Sequence, residues 1–206
     1  MVGTGLVRSR SKTVRDRLIQ AADEELAEFG TLTGRFEAVA HRAGVSRATA
    51  YRQLGSIAEL MTQVGVRRAR RYLAGLQEVM DREQGALAKL EASLVHGAQV
   101  LPDDPIVLRL IERQFSSGRD PEVYEMINEM VLPTVANGQR SGELRSDVDV
   151  DAIIDYVVEQ SYFATHGEDR SERAVRKRFE LFIEPAISPS AADRRAPGRT
   201  GRSSTG

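Results

Sequence analysis

The chain has 206 residues, with 29 Lys and Arg, 30 Asp and Glu, and no cysteine. That length is enough for one large or two small domains with their own cores, and the missing cysteine excludes disulfide bonds and thiolate chemistry. No apolar run approaches the ~18–20 residues that cross a membrane, and residues 1–16 contain no apolar stretch typical of a secretory signal. We therefore expect a cytoplasmic protein without a membrane anchor.

The charges are unevenly distributed along the chain. Residues 1–73 contain 13 Lys or Arg and 7 Asp or Glu, residues 74–184 contain 12 and 22, and residues 185–206 contain 4 and 1. Such asymmetry suggests a basic nucleic-acid module joined to an acidic body. An unevenly charged solvated surface is the alternative at this point.

In the N-terminal part, apolar residues recur at helical spacing. This pattern predicts a helix that ends at Gly30, a short helix from Phe36 to Ala43, and a third that begins at Ser46. A longer fourth helix is predicted after the capping box Ser56-Ile-Ala-Glu59.

The acidic part continues in the same way, without the sustained alternation that indicates strands. Five further helices are predicted; they begin near Leu87, Asp104, Pro121, Asp149 and Ser171. Pro133 should kink or break the seventh helix, whose end is marked by Gly138 and Gly142. We therefore expect an all-α protein of about nine helices.

Residues 35–52 contain two short helices joined by a tight turn. Gly44 permits the turn, and Val45 can fill the core beneath it. This arrangement predicts a helix-turn-helix, whose second helix enters the major groove of DNA. Its sequence, SRATAYR, spans ~10 Å at about 1.5 Å per residue, a length suited to the groove.

The side chains of this second helix are small or form hydrogen bonds. Ser46 and Thr49 can reach phosphates or bases, and Ala48 permits close approach and contact with a thymine methyl group. Arg47 can bind a guanine edge, and Tyr51 has a hydroxyl group suited to phosphate. An ordinary helical hairpin with a polar second helix is the structural alternative.

Residues 17–60 closely resemble the DNA-binding region of the tetracycline-repressor (TetR) family of bacterial transcription regulators. The matching features are Arg17 before Ala21-Ala22, Phe29-Gly30, Val39-Ala40, Ala43-Gly44-Val45-Ser46, Thr49, Tyr51 and Glu59-Leu60. The resemblance implies a ligand-responsive regulator, typically a repressor that binds a palindromic operator as a homodimer and is released by a small-molecule inducer. An activator would use the same helix. The expected DNA-binding residues are Thr33, Arg35, Ser46, Arg47, Ala48, Thr49, Tyr51, Arg52 and Gln53.

The sequence departs from the usual family pattern in three places. Gly34 and Arg35 replace a Thr or Ser pair at the start of the second helix, so Thr33 is the predicted cap. Leu54 replaces a usual Phe, and Ile57 replaces a frequent Lys, which removes an expected phosphate contact. Arg35, or the arginines of residues 67–71, are candidates to compensate for that lysine.

The resemblance also implies a division of roles among the later helices. Helices five to seven would form the effector pocket, with candidate lining residues Gln99, Gln114, Phe115, Tyr124, Met130, Gln160, Tyr162, Phe163 and His166. Helices eight and nine would pair across a dimer axis, with candidate residues Ile154, Val158, Phe179, Phe182 and Ile183. Ordinary packing within one chain is the alternative for each of these residues.

These patterns divide the chain into four expected segments. We expect a disordered arm over residues 1–10, the helix-turn-helix domain over 11–55, a helical regulatory and dimerisation domain over 56–184, and a disordered tail over 185–206. The tail is rich in Ser, Ala, Pro, Gly and Arg, a composition that cannot bury a core.

Two other functional classes fit the sequence less well. An enzyme is disfavoured because the three histidines are isolated and neither an HExxH, a GxSxG nor a glycine-rich phosphate loop is present. The acidic residues from Asp147 to Asp155 lack the Gly and the terminal Glu of a calcium loop, so we expect no metal and no cofactor. A helical adaptor would not need the 43–52 segment or the positive N-terminal third.

Overall fold

The computed structural model describes residues 12–116 and 121–189, and the regular structure in these ranges is entirely helical. The helices are α1 (Val14–Phe29), α2 (Phe36–Arg42), α3 (Arg47–Leu54), α4 (Ile57–Asp81), α5 (Ala86–Val100), α6 (Pro105–Ser116), α7 (Pro121–Ser141), α8 (Val150–His166), α9 (Glu172–Arg178) and α10 (Glu184–Ile187). A 3₁₀ turn (Leu101–Asp103) follows α5, and a π-helical turn (Phe179–Ile183) joins α9 to α10, so the last three pieces occupy the position of the predicted ninth helix. None of the described helices is long and apolar enough to cross a membrane.

Helix α1 has well-defined signals at both ends. At its start, the Thr13 hydroxyl accepts a hydrogen bond from the Asp16 amide, and the Asp16 carboxylate accepts one from the Thr13 amide. These bonds form a capping box, and they lower the pKa of Asp16. At its end, Gly30 adopts a left-handed conformation with φ of 71°, which confirms the predicted stop.

The described residues up to Arg68 form one compact unit, which we call unit 1. Its core consists of side chains on α1, α2, α3 and the first part of α4, among them Leu18, Ala22, Leu26, Val39, Ala50, Leu54, Leu60 and Val64. Unit 1 ends within α4, later than the domain boundary suggested at 55/56. The reason is that α4 is one uninterrupted helix, whose Arg68 forms a 2.6 Å ion pair with Asp23 of α1.

The described residues from Ala69 to 189 form a second compact unit, unit 2. Helix α5 packs against α7, α8 and α9. The core between them includes Leu90, Leu94, Val135, Ile153, Ile154, Val157, Val175, Phe179, Ile183 and Ile187. A single apolar face therefore continues from α9 through the π-helical turn to α10.

The predicted interruption of α7 at Pro133 does not occur. The helix continues past Pro133 to Ser141. Gly138 is not at a frayed end but lies inside the packed helix, where an added Cβ would be 2.6 Å from the Cβ of Ala86. A glycine is needed there because α7 approaches Ala86 and Leu144 so closely.

The tail predicted to begin at residue 185 begins later. Residues Glu184–Ile187 form α10, in which Ile187 is buried and its carbonyl oxygen accepts a 2.8 Å hydrogen bond from the Arg145 amide. Pro185 is compatible with this short helix because the first helical turn does not require its missing N–H group. The predicted arm over 1–10 and the part of the tail after residue 189 lie outside the described residues.

Candidate DNA-binding surface and effector site

The turn between α2 and α3 has the geometry of a helix-turn-helix. Gly44 adopts a φ of 68°, which favours glycine, and the Val45 amide donates a 3.0 Å hydrogen bond to the Ala40 carbonyl oxygen. Ser46 is the N-cap of α3, and its hydroxyl accepts a 3.1 Å hydrogen bond from the Thr49 amide. The turn therefore fixes the point at which the predicted second helix begins.

Helix α3 is anchored on one side and open on the other. Ala50 and Leu54 are buried in the core of unit 1, so the position at which the family pattern usually has Phe is occupied by a packed Leu. The exposed predicted residues are Ser46, Arg47, Ala48, Tyr51, Arg52 and Gln53, and Thr49 is half-buried beside them. The structure thus brings seven of the nine predicted DNA-binding residues to one surface, which we call the α3 surface.

Four aromatic and charged side chains order one end of the α3 surface. The Tyr51 ring stacks on Phe36 of α2, with 4.2 Å between ring centroids. The Arg47 guanidinium lies 5.6 Å from the Tyr51 ring and forms an ion pair with Glu37 of α2. The Tyr51 hydroxyl, together with the Glu37 carboxylate, raises the pKa of Arg47, so Arg47 keeps its positive charge.

The other two predicted DNA-binding residues have different roles. Thr33 does not cap α2: the N-cap is Arg35, whose side chain makes no capping hydrogen bond, and the Thr33 amide donates instead to the Thr31 hydroxyl. The Arg35 guanidinium lies 3.4 Å above the Phe29 ring and donates a 2.7 Å hydrogen bond to Glu25. A buried carboxylate and an aromatic ring of α1 therefore hold the Arg35 side chain.

The arginines expected to replace the missing lysine are also engaged within the protein. Asp23 is buried on α1 and forms ion pairs with Arg68 at 2.6 Å and Arg67 at 3.6 Å. Within unit 2, Arg70 forms a 2.7 Å ion pair with Glu122. The sequence showed these charges but not their partners, because the partners are far apart along the chain.

Unit 2 contains a polar pair that the sequence did not single out. The Tyr72 and His96 rings stack at 5.6 Å, and an added Cβ on Gly97 would lie 3.0 Å from the Tyr72 hydroxyl oxygen. Burial raises the pKa of Tyr72 and lowers that of His96, which favours the neutral form of both groups. Both residues are partly buried, and two neutral side chains that can donate and accept hydrogen bonds are suited to orienting a small ligand.

The predicted pocket residues do not form one group. Met130 borders a cleft of about 490 Å³ between α4, α5 and α7. Tyr162 and His166 are adjacent on α8, with 4.3 Å between their rings. Gln99 and Phe163 are exposed, Tyr124 and Gln160 are partly buried, and the side chains of Gln114 and Phe115 lie outside the described residues.

The predicted dimer residues also divide into two sets. Ile154, Phe179 and Ile183 are buried in the core of unit 2, so the expectation that they contact a second subunit is wrong. Val158 is only partly buried, and it packs against the same core. Phe182 is 68% exposed and remains a candidate. The spacing of apolar residues could not separate Phe182 from Phe179 and Ile183, because the π-helical turn changes which side chains point outward.

Comparison with known proteins identifies the fold. The chain matches no protein-family model and no curated protein sequence. Among solved structures, it is similar to a TetR-family regulator from Marinobacter aquaeolei VT8, with 16% identity, a TM-score of 0.61, and coverage of 86% of this chain and 96% of that one. It is also similar to a TetR-family regulator from Haemophilus influenzae RD, with 17% identity, a TM-score of 0.53, and coverage of 84% and 96%.

A third similar structure is FadR from Bacillus subtilis in complex with stearoyl-CoA, with 17% identity, a TM-score of 0.54, and coverage of 80% and 95%. All three matches extend over nearly the whole of the other chain. This chain has the TetR fold. The all-α prediction and the fold implied by the resemblance of residues 17–60 are therefore confirmed. In the TetR fold found here, α2 and α3 form the helix-turn-helix, and α5 to α10 make up most of unit 2.

Among the described residues, no group of three or more His, Cys, Asp or Glu side chains is arranged to hold a metal ion. Asp147, part of the acidic run considered for calcium, instead accepts hydrogen bonds from Arg145 at 2.7 and 2.6 Å.

Proposed function

We propose that this protein is a transcription regulator that binds an operator through the α3 surface, most simply as a repressor. The observation that supports this most strongly is a helix capped at Ser46 and anchored by Ala50 and Leu54, whose remaining side chains face outward. That geometry occurs within the TetR fold, at the helix that a helix-turn-helix inserts into the major groove.

Each exposed side chain of the α3 surface has a role suited to its chemistry. Arg47 can form two hydrogen bonds to a guanine, and Gln53 can do the same with an adenine. Ala48 can contact a thymine methyl group, while Ser46 and Arg52 are suited to phosphate oxygens. Tyr51 is held by its stacking on Phe36, so its hydroxyl group has a fixed direction.

A second copy of the chain is the proposed partner for dimerisation. Phe163 of α8 and Leu181 and Phe182 of the π-helical turn are large apolar side chains that unit 2 leaves exposed. Two recognition helices about one turn of DNA apart match the half-sites of a palindrome, and two linked contacts raise the affinity. Dimerisation through these side chains would bury them and supply that symmetry.

Regulation requires a second site, and unit 2 supplies the candidate. We place the effector beside Tyr72 and His96, whose neutral polar groups can orient it. FadR from Bacillus subtilis, which shares the fold, is bound to stearoyl-CoA in its structure. The effector of the present protein is proposed to be a small molecule that unit 2 encloses.

Helix α4 offers a direct connection between effector and DNA. It supplies residues to both compact units, because the division falls at Arg68 within an unbroken helix. An effector that favours one position of α4 can thereby change the separation of two α3 helices in a dimer. To switch the protein from almost fully bound to almost fully released, the effector must favour the released state by about 5.5 kcal/mol.

Selection of bound fragments from genomic DNA tests the central claim. We expect the purified protein to enrich a palindromic sequence, and a Ser46→Ala, Arg47→Ala double variant to lose that enrichment. Thermal unfolding of the variant is the control for folding. Equal retention of all fragments by the wild-type protein would refute sequence-specific binding, and light scattering of a monomer at micromolar concentration would refute the dimer.

A further inference from the structure

Glu37 is placed to control the side chain that contacts bases. It lies in the first turn of α2, and its carboxylate accepts a hydrogen bond from Nη1 of Arg47, the first residue of α3. On its other side, the Arg47 guanidinium lies 5.6 Å from the Tyr51 ring, which is itself stacked on Phe36. Arg47 is therefore held between a carboxylate and an aromatic face before DNA is present.

Stability does not account for the Glu37–Arg47 pair. The two side chains are 68% and 61% exposed, and exposed ion pairs contribute little to folding. The buried pairs of unit 1, at Asp23 and Glu25, contrast with it, because they join helices beneath the surface. An acidic side chain beside the α3 surface also repels DNA phosphates, so its presence there calls for a compensating role.

We infer that, in the DNA-binding function proposed above, Glu37 is a positioning residue that holds Arg47 for contact with one base pair and so sets the sequence preference there. Arginine has five N–H donors in a rigid plane, and the ion pair uses Nη1. Enough donors remain for a two-bond contact with guanine O6 and N7. Ordering the side chain in advance reduces the conformational entropy that it loses on binding.

The expected effect of Glu37→Gln is a change in selectivity rather than a loss of binding. Without Glu37, Arg47 samples more conformations and contacts phosphates as easily as a base, so discrimination at one base pair falls. At the same time, the loss of a negative charge strengthens attraction to any duplex. We expect discrimination at that base pair to fall about threefold or more, while affinity for unrelated DNA stays the same or rises.

The experiment uses the full chain and a library of random-sequence duplex DNA. The wild-type protein selects its preferred site, and the dissociation constants for single-base variants of that site are then measured for wild type, Glu37→Gln, Arg47→Ala and the double variant. Glu28→Gln is the matched control, because it removes the same charge from an exposed ion pair on α1. Thermal unfolding confirms that every variant is folded.

The inference is supported if Glu37→Gln lowers discrimination at the base pair that Arg47→Ala also affects, and if it has no further effect there once Arg47 is replaced. Uniformly tighter binding with unchanged base preference would overturn the inference and show that Glu37 is only a repulsive charge. If the wild-type protein selects no sequence at all, the proposed function itself fails, and that outcome is visible before any variant is tested.

Discussion

The ion pairs around Glu25 provide a direct test of how unit 1 holds its helix-turn-helix together. Glu25 is only 3% exposed, and its carboxylate accepts hydrogen bonds from Arg35 at 2.7 Å and from Arg42 at 2.9 Å. These contacts join α1 to both ends of α2. Glu25→Gln keeps the shape of the side chain but removes its charge, so Arg35 and Arg42 both lose their ion pair with Glu25, while Arg42 keeps its pair with Glu28.

The expected destabilisation lies between those of a surface pair and a fully buried pair. Removing one partner of a fully buried pair costs about 3–5 kcal/mol, whereas an exposed pair contributes about 0–1 kcal/mol. The Arg35 and Arg42 side chains are 29% and 35% exposed, so water compensates for part of the loss. We expect Glu25→Gln to lower the free energy of unfolding by about 2 kcal/mol, and Tm by about 4–8 °C for a chain of this size.

Glu28→Gln is the control for this measurement as well. Glu28 is 52% exposed and pairs at 2.6 Å with Arg42, one of the partners of Glu25. We expect its replacement to cost less than about 1 kcal/mol. Calorimetry and urea unfolding followed by circular dichroism at pH 7 give the comparison. Equal effects of the two variants would show that burial of Glu25 does not increase the contribution of its charge.

The pH dependence of stability tests the same carboxylate by a different route. Burial by itself raises the pKa of Glu25, but the hydrogen bonds and charges of Arg35 and Arg42 outweigh burial, and the net pKa is lowered. A lowered pKa means that Glu25 contributes stability above the pKa of the unfolded chain and that this contribution is lost as pH falls through the folded pKa. Wild type should therefore lose more stability than Glu25→Gln on acidification below about pH 4.5.

Four further variants test the surfaces of the proposed regulator. Arg47→Ala should relax specificity at one operator position by about 1–3 kcal/mol, whereas Tyr51→Phe should weaken all sites more evenly; binding curves on single-base operator variants separate the two effects. Phe182→Glu should convert a dimer to a monomer, because it introduces a charge where Phe182 is 68% exposed, and light scattering would show the change. Tyr72→Phe should leave operator binding without effector unchanged but weaken release by the effector, as measured by titrating effector into the protein–operator complex; unchanged release would exclude the Tyr72 hydroxyl from the site.

Local patterns predicted the helices because their determinants are close together along the chain. The stop of α1 at Gly30 and the start of α3 after Ser46 each depend on residues within one turn, and the structure confirms both. The start of α4 is equally local, since the Glu59 amide donates a 3.1 Å hydrogen bond to the Ser56 hydroxyl.

Roles that depend on distant residues were not predictable from the same patterns. Arg35 was a candidate for DNA contact, but its partner Glu25 lies on another helix and is buried only when α1 and α2 pack. Three of the five dimer candidates, Ile154, Phe179 and Ile183, are buried for a related reason. Spacing alone cannot distinguish Ile154 and Ile183 from an outward-facing residue such as Phe182, whereas packing of α8 against α5 places Ile154 in the core.

Under the proposed function, the number of Lys and Arg residues in the first 73 residues overstates the number of cations available for contact with DNA phosphates. Arg35 and Arg42 face Glu25, and Arg68 faces Asp23, so these guanidinium groups hold helices together instead of extending toward a phosphate backbone. Attraction to any DNA sequence depends on the number of phosphates neutralised, and internal ion pairs reduce that number. Base contacts by the α3 surface, as proposed above, would not depend on net charge in this way. Internal ion pairs of these arginines would then lower non-specific affinity more than specific affinity and favour discrimination between sequences.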